Sequence, residues 1–142
     1  MSGKAFVDTN VFVYLFDGRS PRKQRAAQEL LAQASSEGRV VLSTQVLQET
    51  YVALTRKLSV SESDALSAVR MMSAYTVVHT DTPLVLKGIH RSMQNRLSLW
   101  DALIVEAALE ARCDVLYSED LSDGQTFGAM TLRNPFAGSS PN

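Results

Sequence analysis

Four acidic residues in this chain have the types and positions that metal-assisted hydrolysis requires: Asp8, Glu49, Asp101 and Asp120. Clustered carboxylates repel one another, and some become protonated unless a cation lies between them. Carboxylate and water oxygens are ligands that suit Mg²⁺ or Mn²⁺. Such a cation can orient a phosphodiester, activate a water molecule and stabilise the leaving oxygen. The four acids therefore predict a site for a divalent cation if the fold brings them together.

Two of the acids follow predicted strands. Asp8 comes directly after the apolar run Ala5-Phe6-Val7, and Asp120 comes shortly after a strand predicted over Asp114 to Tyr117. Open parallel sheets bind ligands outside the carboxyl ends of their strands, so both positions suit a site. Each residue also has a simpler interpretation, because Asp8 fits a helix N-cap and Asp120 fits a solvated loop.

Glu49 lies on a predicted helix among apolar neighbours. Val46 stands three residues before it, and Val52 and Ala53 stand three and four residues after it. A glutamate on a buried apolar stripe is costly unless it is paired or binds a cation. The alternative is a helix rotated so that Glu49 reaches solvent or a buried arginine.

Asp101 allows both a capping and a catalytic interpretation. Ser98 followed by Asp101 three residues later forms a capping box, the pattern that we also assign to Ser61 and Asp64. The apolar start of this helix, which includes Trp100, favours a position that faces the protein interior. Capping and metal binding do not exclude each other.

The elements that must position these acids alternate along the chain. The order is strand, helices, strand, helices, strand, helices, strand, and no tight hairpin is expected between strands. Met130-Thr131-Leu132 is predicted as a short further strand at an edge. This order requires a parallel sheet with helices on both faces. We therefore expect an α/β fold, a three-layer α/β/α sandwich with a central parallel sheet of four or five strands.

Length and composition are those of an ordinary globular chain, with 142 residues, 45% hydrophobic and 20% charged. We expect a single domain over residues 1–136 and a small, polar, disordered tail over residues 137–142. The only cysteine, Cys113, is interpreted as a core residue and excludes an internal disulfide. Neither a signal peptide nor a membrane span is predicted, which leads us to expect a cytoplasmic protein.

The net charge of −1 gives no extended basic footprint for nucleic acid. This balance does not exclude a nuclease, because bound metal ions add positive charge where the phosphate lies. The basic group on the second helix is interpreted as a solvated face, with contact to a phosphate backbone as the alternative. Its members are Arg19, Arg22, Lys23 and Arg25.

Four stretches of the chain resemble the acidic motifs of PIN-domain nucleases. They are Phe6-Val7-Asp8-Thr9-Asn10-Val11, Ser43-Thr44-Gln45-Val46-Leu47-Gln48-Glu49, Leu99-Trp100-Asp101-Ala102-Leu103-Ile104 and Leu116-Tyr117-Ser118-Glu119-Asp120-Leu121. The closing Asn134-Pro135-Phe136 resembles the end of bacterial VapC-type toxins. The likeness covers nearly the whole chain, and the motifs stand in the family's order.

The resemblance implies a PIN-like fold and Mg²⁺- or Mn²⁺-dependent RNA endonuclease activity. It implies that the metal is bound, and catalysis performed, by Asp8, Glu49, Asp101 and Asp120. Asn10 and Ser118 would support that site through hydrogen bonds, and Asp123 would be a peripheral ligand. As in toxin–antitoxin pairs, we expect an RNA substrate, a cognate antitoxin that inserts a segment near the site, a homodimer, and inhibition of translation or growth.

Three other functions fit parts of the sequence. The stretch Asp8-Thr9-Asn10-Val11 resembles the nucleophile motif of haloacid-dehalogenase-like phosphatases, but Asn10 stands where that family has a second aspartate. A phosphate-accepting receiver domain has a similar length, but the early acid pair and the late lysine are missing. A non-catalytic PIN-fold module that binds RNA or protein is the third alternative, and the complete set of acids counts against it.

Overall fold

Six strands form one sheet in the structure, a computed structural model in which residues 3–137 are described. In chain order they are β1 (Ala5–Val7), β2 (Val40–Ser43), β3 (Thr76–Val78), β4 (Val115–Tyr117), β5 (Thr126–Phe127) and β6 (Met130–Arg133). Their order across the sheet is β3-β2-β1-β4-β6-β5. The first five strands of that order run parallel, and β5 pairs antiparallel with β6. The predicted parallel sheet is thus confirmed.

The β5–β6 hairpin is the part of the sheet that the sequence interpretation missed. Phe127 pairs with Met130, so only Gly128 and Ala129 lie in the turn. Gly128 has a φ of 59°, which glycine adopts without a Cβ penalty. The prediction of no tight hairpin was wrong, and so was the edge position of the last strand, because β6 lies between β4 and β5. The two residues of β5 are too few to give a periodic pattern.

Helices cover both faces of this sheet. Within the described residues they are α1 (Thr9–Tyr14), α2 (Pro21–Ser36), α3 (Thr44–Arg56), α4 (Glu62–Met72), α5 (Thr82–Asn95) and α6 (Leu99–Glu110). Helices α1 and α2, α1 and α3, and α3 and α4 are in contact, and α5 packs on α6. Since the crossovers between parallel strands are right-handed, the reversal in strand order after β3 places these two groups on opposite faces. The result is the three-layer sandwich that the sequence predicts.

Short polar side chains fix where several helices begin. The Ser43 hydroxyl accepts the N–H of Val46 at the start of α3. Ser61 accepts the N–H of Asp64 at the start of α4, as the predicted capping box requires. Because these caps bind backbone N–H groups that the helix cannot pair itself, they set the first residue of each helix.

Helix α6 is held firmly against the rest of the molecule. Its buried residues are Ala102, Leu103, Ile104, Val105, Ala107 and Ala108. Gly88 of α5 allows a close approach, because a Cβ atom at that position would lie 2.5 Å from Leu103 Cδ2. Each large side chain buried in this way contributes about 1.5–3 kcal/mol. The packing therefore fixes the first turn of α6, where Asp101 lies.

The remaining sequence expectations concern the core, membranes and the chain ends. Cys113 is buried, and burial raises the pKa of its thiol to about 12, which agrees with a core role. No helix within the described residues is long and apolar enough to cross a membrane. The single domain over residues 1–136 stays a prediction, and residues 138–142 of the predicted tail lie outside the described part of the chain.

Candidate active site

The strand order brings two of the four acids to one edge of the sheet. β1 and β4 are neighbours, and Val7 pairs with Tyr117. Asp8 follows Val7 directly, and Asp120 comes three residues after Tyr117. The order of strands reverses between β1 and β4, and such a switch point opens a crevice at the carboxyl ends of the strands. The topology therefore places Asp8 and Asp120 where the strand-end argument expects them.

Asp8 is the most deeply buried of the four acids, with 5% of its surface exposed. Its Oδ1 accepts the backbone N–H of Thr9 at 2.7 Å, and its Oδ2 accepts the Ser118 hydroxyl at 2.8 Å. Burial, followed by the charges of Asp120 and Glu49, raises the pKa of Asp8 to about 7 in spite of these bonds. Asp8 is also the N-cap of α1, so its capping interpretation is correct.

Asp120 is exposed and is held by its neighbours. The Asn10 amide donates to Asp120 Oδ2 at 3.1 Å, while Asn10 Oδ1 accepts the backbone N–H of Glu119 at 3.3 Å. The backbone N–H of Asp120 donates to Ser118 Oγ at 3.1 Å. Ser118 thus accepts a bond from Asp120 and donates one to Asp8. Asn10 and Ser118 make the kind of hydrogen bonds that the family resemblance implies.

Glu49 is half-buried on α3 and is hydrogen-bonded at both oxygens. The Thr9 hydroxyl donates to Oε1 at 2.9 Å, and the Gln45 amide nitrogen donates to Oε2 at 3.1 Å. The expected burial of the surrounding apolar stripe is only partly correct. Val46 is buried, but Val52 is 51% exposed and lines an open groove. Glu49 therefore lies at the border between the core and that groove.

Asp101 lies in the first turn of α6. Its backbone N–H donates to Ser98 Oγ at 3.1 Å, so the capping interpretation is correct. Burial raises the pKa of the Asp101 carboxyl, and the charges of Asp120 and Glu49 raise it further. Asp101 is therefore part of a cap and also lies within electrostatic reach of two other acids.

The four carboxylates form one electrostatic cluster but not a closed metal cage. Among residues 3–137, no three acidic, histidine or cysteine side chains meet at the spacing of metal ligands. The donors are all oxygen atoms, as Mg²⁺ and Mn²⁺ prefer, and Mg²⁺ usually keeps several of its waters. A cation would also relieve the repulsion that helps to raise the pKa values of Asp8 and Asp101. The chemistry of the donors fits a divalent cation, although their spacing does not pre-form its site.

Asp123 makes a contact that explains its position without a metal. Its Oδ1 accepts the backbone N–H of Asn134 at 2.8 Å, which ties the loop after β4 to the segment after β6. The side chain is exposed. Its role as a peripheral ligand stays a prediction.

An open groove of about 640 Å³ extends from the acids along α1 and α3. Glu49 and Asp120 line it together with Val52, and Lys57 follows Glu49 by about two helical turns. Arg19 also lines the groove, and Asp17 binds its guanidinium group through two hydrogen bonds of 2.9 and 3.1 Å. The groove thus combines two of the four acids, an apolar wall and two cationic side chains.

The sequence interpretation missed several residues that contact the acids or their neighbours. Thr9 and Gln45 bind Glu49, and their only sequence signals are their closeness to Asp8 and the four-residue spacing between Gln45 and Glu49. Lys23 was assigned to a solvated face, but its ammonium group binds Glu119. No charge pattern along the chain indicates that long-range pair.

The ammonium group of Lys23 makes further contacts besides its ion pair. It donates to the Tyr14 hydroxyl at 3.2 Å. It also lies 4.9 Å from the centre of the Tyr14 ring and 5.7 Å from that of Phe136. Lys23 therefore joins α1, α2 and the closing segment of the chain to the residue before Asp120.

Comparisons with known proteins give one family and several similar structures. The family model described as the PIN domain matches residues 5–122. VapC20 of Mycobacterium tuberculosis, a sarcin-ricin-loop-cleaving toxin, has a TM-score of 0.68 at 23% identity, covering 82% of this chain and 92% of that one. A toxin–antitoxin complex from Klebsiella pneumoniae has a TM-score of 0.67 at 21% identity, covering 93% and 98%. DNA-bound VapBC from Salmonella typhimurium has a TM-score of 0.66 at 18% identity, covering 94% of this chain and 98% of that one. No curated protein sequence matches.

Proposed function

The chain belongs to the PIN-domain family, as its four motifs predicted, and from that premise we propose that it is a Mg²⁺- or Mn²⁺-dependent endoribonuclease. The observation that supports this most directly is electrostatic. Burial raises the pKa of both Asp8 and Asp101, and the charges of Asp120 and Glu49 raise both further, which supports one shared site for these four acids. Because the chain belongs to this family, the phosphatase and the receiver domain are no longer alternatives.

In this proposal the cation is held by Asp8, Glu49, Asp101 and Asp120. When bound, it supplies the positive charge that orients a phosphodiester and activates a water molecule. The protein's own residues orient the ligands. Ser118 and the N–H of Thr9 hold the Asp8 carboxylate, and Asn10 holds that of Asp120. Because these partners are hydrogen-bond donors, they favour the ionised carboxylates that a cation needs.

The groove gives an RNA strand a place to lie. Glu49 lines the groove from α3, and Lys57, the C-cap residue of that helix, also lines it about two helical turns further on. A phosphate chain that passes the acids can therefore meet a cationic side chain nearby, which supports binding through the backbone. Arg19 offers a second cation, partly neutralised by Asp17.

We also propose that the protein is the toxin of a toxin–antitoxin pair. VapC20 is a toxin that cleaves the sarcin-ricin loop, and the Klebsiella and Salmonella structures are toxin–antitoxin assemblies. By this likeness, the partners are an RNA, a cognate antitoxin that inserts a segment near the site, and a second copy of the chain in a homodimer. The expected place of action is the cytoplasm, where RNA cleavage would inhibit translation or growth.

An RNA cleavage assay tests the proposed activity. The purified protein, free of antitoxin, is incubated with structured RNAs, including a sarcin-ricin loop, in Mn²⁺ or Mg²⁺ and with or without a chelator. We expect cleavage that needs the metal and that Asp8→Asn abolishes. Cleavage that persists in chelator would contradict the metal dependence. Mn²⁺ binding without cleavage of any RNA would instead support the non-catalytic binding module.

A further inference from the structure

We propose that Gln45 is a positioning residue that holds the Glu49 carboxylate against the first turn of α6, so that Glu49 and Asp101 face the same cation. The proposal rests on the metal-dependent site proposed above. It concerns a side chain that lies outside the four acids and outside their expected supporting residues.

One amide group connects two helices at this point. Gln45 Nε2 donates to Glu49 Oε2 at 3.1 Å and to the backbone oxygen of Trp100 at 3.1 Å. Trp100 directly precedes Asp101 in α6. Both partners are acceptors, so only the nitrogen of the amide fits between them, and both of its protons are used. The bridge therefore fixes Glu49 relative to the backbone beside Asp101.

The bridge extends a chain of hydrogen bonds that reaches Asp8. The Thr9 hydroxyl binds the other oxygen of Glu49, and the Thr9 backbone N–H binds Asp8. Every donor in this series of hydrogen bonds is an uncharged group. A lysine or arginine at position 45 would neutralise the cluster and compete with a cation, whereas an amide orients the carboxylate and leaves its negative charge available.

The carbonyl oxygen of Gln45 does not stabilise the fold. Gln45 is only 6% exposed, and its Oε1 has no hydrogen-bond partner among residues 3–137. A buried oxygen without a partner disfavours the folded state, and an apolar side chain of similar size would avoid that cost. The two bonds donated by Nε2 are the feature that only the amide supplies.

The variant Gln45→Met separates positioning from stability. Methionine has a similar length but no donor. We expect the Mn²⁺ affinity of antitoxin-free protein, measured by isothermal titration calorimetry, to fall by about 10-fold, as for other residues that orient metal ligands. The unfolding temperature of the metal-free variant should change little, because removal of the unpaired buried oxygen offsets the loss of the two donated bonds. A purely structural role predicts an unchanged Mn²⁺ affinity and a lower unfolding temperature. That pair of results would overturn the proposal.

A matched control and a second background sharpen this test. Gln28→Met changes an exposed glutamine of α2 and should alter neither quantity. In a Glu49→Gln background, Gln45→Met should lower the Mn²⁺ affinity by less than about 2-fold, because its partner carboxylate is already gone. An equal loss in both backgrounds would overturn a route through Glu49.

A measurement on the unmodified protein does not depend on any variant folding. The side-chain amide resonances of Gln45 in a nitrogen–proton correlation spectrum should shift when Mg²⁺ is added, and those of Gln28 should not. Unchanged Gln45 resonances at a Mg²⁺ concentration that saturates the site would overturn the proposal.

Failure of this inference can be distinguished from failure of the proposed function. If the unmodified protein binds no Mn²⁺, the metal-dependent function and the role of Gln45 both fail. If it binds Mn²⁺, loses that binding in Asp8→Asn and keeps it in Gln45→Met, only the role of Gln45 fails.

Discussion

The two halves of the acidic cluster are held in different ways. Asp8 and Asp120 follow β1 and β4, which are adjacent strands, and Ser118 binds both of them. Glu49 and Asp101 lie instead on α3 and α6, and the Gln45 side chain bridges these two helices. We call the first pair the strand half and the second pair the helix half.

This difference shows what each kind of support can do. Backbone pairing between β1 and β4 fixes the strand half, so its acids stay close even though burial and repulsion raise the pKa of Asp8 to about 7. The helix half depends on α6 packing and on one amide bridge, which a single substitution can remove. A shared site needs both halves, and changes in either half should therefore show in metal binding.

The largest expected effect is on RNA cleavage. Asp8→Asn in the strand half and Asp101→Asn in the helix half should each lower the rate at saturating Mn²⁺ by more than about 100-fold, because even residues that only orient metal ligands change activity by 10–100-fold. Initial rates of cleavage measure this. Glu110→Gln, at the exposed end of α6, is the control. Loss in Asp8→Asn alone would mean that the helix half is not part of the site.

The next effect concerns stability without metal. The pKa of Asp8 is about 7 in the folded protein against a usual value of 3.8. A raised carboxyl pKa lowers stability as the pH increases between those two values, since the unfolded chain loses its proton first. At pH 8, Asp8→Asn should therefore raise the free energy of unfolding by about 1–3 kcal/mol, and near pH 3 the difference should vanish. Urea unfolding at the two pH values measures it.

Asp101→Asn provides the comparison from the helix half. Asp101 is half-buried, and its backbone N–H binds Ser98 whichever side chain is present. We expect little change in the thermal unfolding of the metal-free protein. Marked destabilisation would show that the Asp101 carboxylate itself stabilises the start of α6, which would favour a structural role over a place in the metal site.

The sequence allowed much of the strand half to be predicted. Asp8 and Asp120 were located because parallel strands end at a common edge, and that argument needs only the order of elements. The β5–β6 hairpin was not predicted because β5 has only two residues, which is too short for a strand pattern.

The helix half was harder to predict because it depends on tertiary contacts. Local pattern explained Asp101 equally well as a cap, and only the family resemblance gave it a site role. The apolar neighbours of Glu49 suggested a buried stripe, but Val52 is exposed and lines the groove. Sequence spacing could not show that Gln45 reaches Trp100, since 55 residues separate them.

The smallest expected effect comes from a residue that supports the strand half from outside. Lys23→Met removes the ion pair with Glu119, the residue before Asp120. We expect a loss of about 0.5–1 kcal/mol in the free energy of unfolding, because both side chains are partly exposed.

The Mn²⁺ affinity of Lys23→Met should change less than that of Gln45→Met, since Asn10 and Ser118 still hold Asp120. Urea unfolding and calorimetry measure the two quantities, with Lys87→Met on α5 as the control. A larger loss of affinity in Lys23→Met than in Gln45→Met would contradict this expectation.

The most direct test of the shared site is a crystal structure of the antitoxin-free protein with Mn²⁺, using anomalous scattering to locate the ion. We predict an anomalous peak with carboxylate ligands from both halves, at least Asp8 from the strand half and Asp101 or Glu49 from the helix half. A Mn²⁺ ion bound by one half alone, or bound away from Asp8, would contradict the account.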